Sequence, residues 1–299
     1  MSVGFMSALD DVKKEIPHVI VLALLVLFLL VILTKFGWIR CTQIPQWCDI
    51  YCNLMGKSHV GAVYGGEGLG NPTLLRDEIV SFRLITVIDA PLPISQASLD
   101  LLKKYDLIIL EQAKKITPRQ AEAFRMYVLQ GGTIIWIGDS ASSYYLSPEE
   151  LMDLKFKNET NPGIYEEKVD EVNKTRGFGP LENILFASYI RTEKPTAGLT
   201  FHKVMRDHFI MQGLIQNFSM PTMPYAVVQP KPQGTAILAV LRTKEGKEYP
   251  AILETRYGGG KIIYISFPIE ELPRLSELSG EKLKGKYLLT NIIDYLIQC

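Results

Sequence analysis

Residues 105–139 read Y-D-L-I-I-L-E-Q-A-K-K-I-T-P-R-Q-A-E-A-F-R-M-Y-V-L-Q-G-G-T-I-I-W-I-G-D, and the order of apolar runs and breakers in this stretch decides the fold class. Leu107 to Leu110 is a short continuous apolar run, as is Thr133 to Ile137, and such runs suit strands covered on both faces of a parallel sheet. Between them Thr117 can cap a helix whose first turn accepts Pro118. Ala121, Phe124, Val128 and Leu129 recur at helical spacing until Gly131 and Gly132 end it. The unit is strand, helix, strand, with the right-handed crossover that parallel strands require.

The same alternation extends backwards. His59 to Tyr64 reads as a first strand, Thr73 to Ser81 as a helix, Arg83 to Ile88 as a second strand and Ser95 to Lys104 as a second helix. An α/β domain with a doubly wound, flavodoxin-like parallel sheet and helices on both faces is therefore expected over 59–299. Ligands of such sheets sit beyond the carboxyl ends of the strands. Those ends supply the candidate binding residues Gly65, Gly66, Gly68, Gly70, Asp89, Glu111, Asp139 and Ser140. The glycine run is G-G-x-G-x-G, which is neither dinucleotide nor phosphate-loop spacing, so no cofactor is assigned.

Further along, residues 147–180 are charged and loop-like, and read as a partly helical insertion. Short strands are expected at Ile184–Ile190, Phe209–Ile215, Tyr225–Val228, Ala236–Arg242, Ala251–Tyr257 and Lys261–Ser266. A closing helix runs from Lys284 to Ile297.

Ahead of the domain, Val19 to Leu33 carries no polar side chain, and residues 18–39 are long enough to span a bilayer after a tail of residues 1–17. Lys35 can snorkel and Trp38 suits the interface. A cleaved signal peptide competes, but Thr34-Lys35-Phe36-Gly37-Trp38 offers no small-x-small cleavage pattern, so an uncleaved single-pass membrane anchor is expected. Lys13 and Lys14 before the span balance Lys35 and Arg40 after it. The sequons at Asn158, Asn173 and Asn217, placed in or near loops, tilt the large domain toward the extracytoplasmic side.

The linker, residues 40–58, holds Cys41, Cys48 and Cys52. A disulfide fits an oxidising compartment, lipidation of Cys41 fits a cytoplasmic one, and buried free thiols fit either. A zinc site would have only His59 as a further nearby ligand, and no metal site is assigned. The chain has 299 residues with 32 Lys+Arg against 32 Asp+Glu, so no global field draws it to nucleic acid, which is not expected as a partner.

Three segments carry a family resemblance: Y-D-L-I-I-L at 105–110, T-P-R-Q-A-E-A-F-R-M-Y-V-L-Q-G-G-T-I-I-W-I-G at 117–138, and R-Y-G-G-G-K-I-I-Y-I-S-F-P-I-E-E-L at 256–272. With them the chain resembles the class I glutamine amidotransferase-like superfamily, and more closely its non-amidotransferase branches in membrane-associated and trehalose-utilisation-type proteins. The resemblance implies a catalytic cysteine on the turn after Ile137 and a histidine after Ser266. The turn here is Gly138-Asp139-Ser140-Ala141-Ser142, and Ser266-Phe267-Pro268-Ile269-Glu270 has no histidine. Amidotransfer is excluded on those letters. The expectation is a non-enzymatic domain that binds a partner protein or ligand in a larger envelope or transport assembly. The alternative is a serine hydrolase with Ser140 or Ser142 as nucleophile, His202 or His208 as base and Glu270 orienting it.

Overall fold

The computed structural model describes residues 3–35, 39, 44–82, 87–195, 197–272 and 284–297, which fall into two compact units divided after Lys57. In the first, α1 (Val3–Lys35) is one helix that takes in most of the expected amino-terminal tail. Its segment Pro17–Lys35, with mean hydropathy 2.9, is long and apolar enough to cross a membrane, a property that signal sequences share. A short helix, α2 (Trp47–Met55), follows. Cys48 and Cys52 are each disulfide-bonded, while Cys41 and Cys299 lie outside the described residues.

The second unit, Ser58–Ile297, is built on a ten-stranded sheet. Its parallel part comes from β1 (His59–Tyr64), β2 (Val87–Ile88), β3 (Leu92–Pro93), β4 (Leu107–Leu110), β6 (Thr133–Ile137) and β14 (Gly260–Ile265), with β5 (Lys115–Ile116) set apart. The spatial order β2-β1-β4-β6-β14 is the second-first-third-fourth-fifth order of doubly wound sheets. Each of these central strands sends alternate side chains to opposite faces, as the pleat requires. Leu107, Ile109, Ile135, Ile137, Ile263 and Ile265 pack in one core with Leu75 and Ile79 of α3 (Pro72–Phe82) and Leu288 and Ile292 of α9 (Lys284–Leu296). Ile108, Leu110, Ile134, Trp136, Ile262 and Tyr264 pack in a second core. There they meet Leu102 of α4 (Leu99–Leu102), Phe124 and Val128 of α5 (Pro118–Leu129), and Leu185 of α8 (Glu182–Leu185).

The sheet is mixed where a parallel one was expected. Beyond β14 it continues antiparallel through β13 (Glu248–Tyr257), β12 (Thr235–Arg242), β9 (Leu199–Lys203) and β10 (Asn217–Met220). A two-stranded ribbon pairs β8 (Ala187–Glu193) with β11 (Tyr225–Pro230). Just before the insertion β7 (Ser143–Tyr144) pairs with β5, and the insertion itself forms the helices α6 (Pro148–Thr160) and α7 (Ile164–Lys174).

Several expected elements move. Residues 95–104 give a single helical turn after a 3-10 turn, with Ser98 as cap, because Ser98 rather than Ser95 reaches the amide of Leu101. The apolar letters of Phe209–Ile215 form a 3-10 turn and loop whose Ile210, Met211 and Leu214 plug the core under α9, so their burial is not a strand's. The strand expected at Ile184–Ile190 starts at Ala187, after α8. Of Arg83–Ile88, residues 83–86 lie outside the described residues. The sequons fall within α6, α7 and β10 rather than in loops, and Asn158 uses its Oδ1 to accept from the amides of Gly163 and Tyr165.

The start of α5 is fixed by a capping box in which the Thr117 hydroxyl accepts from the amide of Gln120 and the Gln120 side chain accepts from the amide of Thr117. Both residues are buried. Thr117→Ala should therefore lower stability by about 1 kcal/mol, read as a shifted urea midpoint with an unchanged slope.

Candidate functional site at the strand ends

The carboxyl ends of β1, β4, β6 and β14 come level, with Val63 opposite Leu110, Leu110 opposite Trp136 and Ile137 opposite Ile265. The chain turns sharply just beyond them. Gln112, Gly138 and Ala141 have positive φ, as do Gly66, Gly68 and Gly70 in the loop after β1. That loop is laced to the end of β4: Gly65 and Glu67 donate to the Gln112 carbonyl, Gln112 donates to Leu69, and Lys114 donates to Glu67. A Cβ at Gly70 would stand 2.3 Å from Glu111 Cγ, so the approach requires glycine.

Inside the turns sit three buried carboxyl groups, Glu111, Asp139 and Glu270. The loop supplies their donors. The amide of Leu69 gives a 2.7 Å bond to Asp139 Oδ1, and the amide of Asn71 is shared between Glu111 Oε1 at 3.1 Å and Glu270 Oε1 at 2.8 Å. Thr192 Oγ1 reaches Asp139 Oδ2 at 3.3 Å, with Lys114 Nζ at 3.6 Å. Among the described residues no donor reaches the second oxygen of Glu111 or of Glu270. Burial raises both acids; the neighbouring Glu270 charge pushes Glu111 up further, and Glu270 stands at about 7.

Ser140 and Ser142 are buried on the turn after β6. The Ser140 hydroxyl accepts a 3.4 Å bond from the amide of Ala113. Its turn is held from beneath by Trp136 Nε1 on the Ser140 carbonyl at 2.8 Å and by the Tyr264 hydroxyl on the Gly138 carbonyl at 2.9 Å. A nucleophile elbow strains the nucleophile itself and leads into a helix. Here the left-handed residue is Ala141, one position later, and β7 follows.

The other sequence candidates are elsewhere. His202 joins Asn217 across the β9–β10 pair. His208 bonds Glu254 Oε2 at 2.9 Å and packs edge-on to Tyr295, 4.9 Å between ring centres. Glu270 faces Glu111 rather than either histidine. Asp89 directly follows β2, but that end is level with the start of β1: the Asp89 amide bonds the Val60 carbonyl, and its carboxylate lies by the Tyr105 hydroxyl. Asn71 is the residue that sequence reading missed, since its contribution is a backbone N–H that carries no letter. The only signal was its position directly before Pro72, where a helix begins.

Three findings place this geometry among known proteins. The profile of the ThuA family, described as trehalose utilisation, matches residues 81–267. A ThuA-like protein from Bacteroides uniformis superposes with a TM-score of 0.53 at 14% identity, covering 80% of this chain and 91% of that one. A cytoplasmic protein of Salmonella typhimurium LT2 gives 0.53 at 13%, covering 80% and 98%. The β-galactosidase of Rahnella sp. R3 gives 0.52 at 14%, covering 79% of this chain and 31% of the enzyme. At these identities the likeness is one of fold. No curated protein matches the sequence. With more than half of its length matched by the profile, the chain belongs to the ThuA family.

Proposed function

We propose that this ThuA-family chain is a membrane-anchored, non-enzymatic binding domain that engages a partner protein or ligand within a larger envelope or transport assembly. One observation carries the reading: the glycine-rich loop, which in a ligand-binding sheet would offer its amides to substrate, gives those of Leu69 and Asn71 to the protein's own buried carboxyls. His202 and His208, the bases that acyl transfer at Ser140 would use, bond Asn217 and Glu254 instead, which leaves that hydroxyl without its expected activating partner. The apolar helix Pro17–Lys35 supports anchoring, and disulfides at Cys48 and Cys52 favour an oxidising, extracytoplasmic side for the large domain. On the insertion, Met152 and Phe156 lie one helical turn apart on α6 and are 59% and 64% exposed, which suits a protein contact.

Ser140→Ala should cost about 1 kcal/mol, the loss of a partner for the amide of Ala113, and leave the wild-type cellular phenotype intact. Changing Met152 and Phe156 together to serine should leave folding unchanged and abolish that phenotype. Turnover of trehalose or another glycoside by the wild-type domain, lost in Glu111→Gln, would overturn the reading.

The buried pair sets a pH dependence. Its carboxyls are raised above their unfolded value, so between roughly pH 4.5 and pH 7 the folded chain holds more protons than the unfolded one. Stability contributed by the pair is full at the acid side of that window and falls as pH rises through it, by up to about 1.4 kcal/mol per pH unit for one proton. Glu111→Gln should flatten this slope in denaturation series from pH 5 to pH 8. A slope identical to wild type would show that the two acids titrate normally.

A further inference from the structure

The helix α2, W-C-D-I-Y-C-N-L-M, buries Trp47, Tyr51 and Cys52. Trp47 Nε1 donates a 2.9 Å hydrogen bond to Thr34 Oγ1, and both residues are buried. That bond fastens the first turn of α2 to the last turn of α1, at the end of its apolar stretch. Cys48 and Cys52, both on α2, are each disulfide-bonded.

At 100° per residue the remaining side chains of α2 separate into two stripes. Asp49 and Asn53 are exposed and polar. Ile50 and Leu54, also one turn apart, flank the packed Trp47–Tyr51 side and are 52% and 61% exposed. An aliphatic stripe left open on so short a helix is unfavourable in water, yet the helix to which Trp47 fastens it is itself apolar and exposed from Val19 to Leu29. Lys35 and Lys57, at the ends of α1 and just past α2, are both exposed and can reach headgroups.

We infer that α2 is an interfacial helix, seated at the boundary of headgroups and acyl chains with Ile50 and Leu54 against lipid and Asp49 and Asn53 toward water. The occupant of the apolar stripe is the bilayer in which α1 is anchored, and the inference rests on that anchored reading. The Trp47–Thr34 bond sets the depth, because it ties α2 to the last turn of the span. A juxtamembrane helix of this kind fixes the direction in which the chain leaves the membrane.

The test uses the full-length chain in phosphatidylcholine vesicles. Leu54→Trp adds one emitter at an exposed position, and its contribution is the difference from the wild-type chain with Trp38, Trp47 and Trp136. Vesicles carry bromine on the acyl chains either near the glycerol or near the methyl end. The added emission should be quenched by bromine near the glycerol and less by bromine near the methyl end. If the chain floats with the vesicles and neither lipid quenches it, α2 faces water, a second copy or another protein, and the inference falls while the anchor stands. Stronger quenching by the deep bromine also overturns the interfacial seat. A chain that does not float with vesicles overturns the anchor and the inference together.

Discussion

The amide hydrogen of Asn71 is held by two carboxyl groups at once, Glu111 and Glu270, and this three-way contact joins the ends of β1, β4 and β14. A single donor between two acids is stable only if the acids do not both carry charge, since two buried carboxylates repel at close range. Burial raises both, which lessens the charge conflict at the contact. The loop from Gly65 to Gly70 then has one arrangement. Its positive-φ glycines, its lacing to Gln112 and the near approach of Gly70 to Glu111 are mutually consistent parts of it.

The turn after β6 depends on the same closure. Leu69 donates to Asp139, and Gly138 lies so near Leu69 that a Cβ would meet it at 2.7 Å. From below, Trp136 and Tyr264 hold that turn through their polar atoms, and the ring of Phe178 sits edge-on to both, at 5.2 Å and 5.9 Å. Phe178 is where the insertion returns to the core, so the helices α6 and α7 are tied to the sheet beneath the strand ends. A second carboxylate, Glu254 on β13, follows the opposite logic. Burial opposes its charge, but bonds from His208 and Tyr295 and the field of Lys261 outweigh that and hold it down at about 2. Its bond from Tyr295 links the antiparallel extension to α9, whereas burial raises Glu111 and Glu270.

The central βαβ unit was legible because local rules agree there. Leu107–Leu110 and Thr133–Ile137 are apolar on both faces, and Thr117-Pro118 and Gly131-Gly132 bracket one helix. Legibility failed where burial and periodicity part company. Phe209–Ile215 is apolar because Ile210, Met211 and Leu214 fill space under α9, not because it alternates in a sheet. The strands β9 and β10 escaped because Lys203, His202, Asn217 and Ser219 dilute their apolar letters, and Lys203 is buried only by giving its ammonium to the carbonyls of Met211 and Leu214. At the strand ends Glu111, Asp139, Ser140 and Glu270 were legible as positions. The relationship of Glu111 to Glu270 was not, since the contact that joins these two runs through a backbone amide 40 residues from one and 199 from the other.

Two buried acids are an expensive way to hold a loop, and apolar side chains of similar size would do so with greater stability. What the acids add is direction: a donor at Asn71 is required, and only one loop geometry supplies it. A catalytic cleft that used those amides would need them turned outward, whereas here the amides of Leu69 and Asn71 bond the protein's own carboxyls. A binding surface needs the reverse, a fixed outline whose ordering is complete before the partner arrives, because side chains and loops already immobilised lose less entropy on association. The closed strand ends fit the proposed binding function, in which the acids contribute the rigidity they give to the loop.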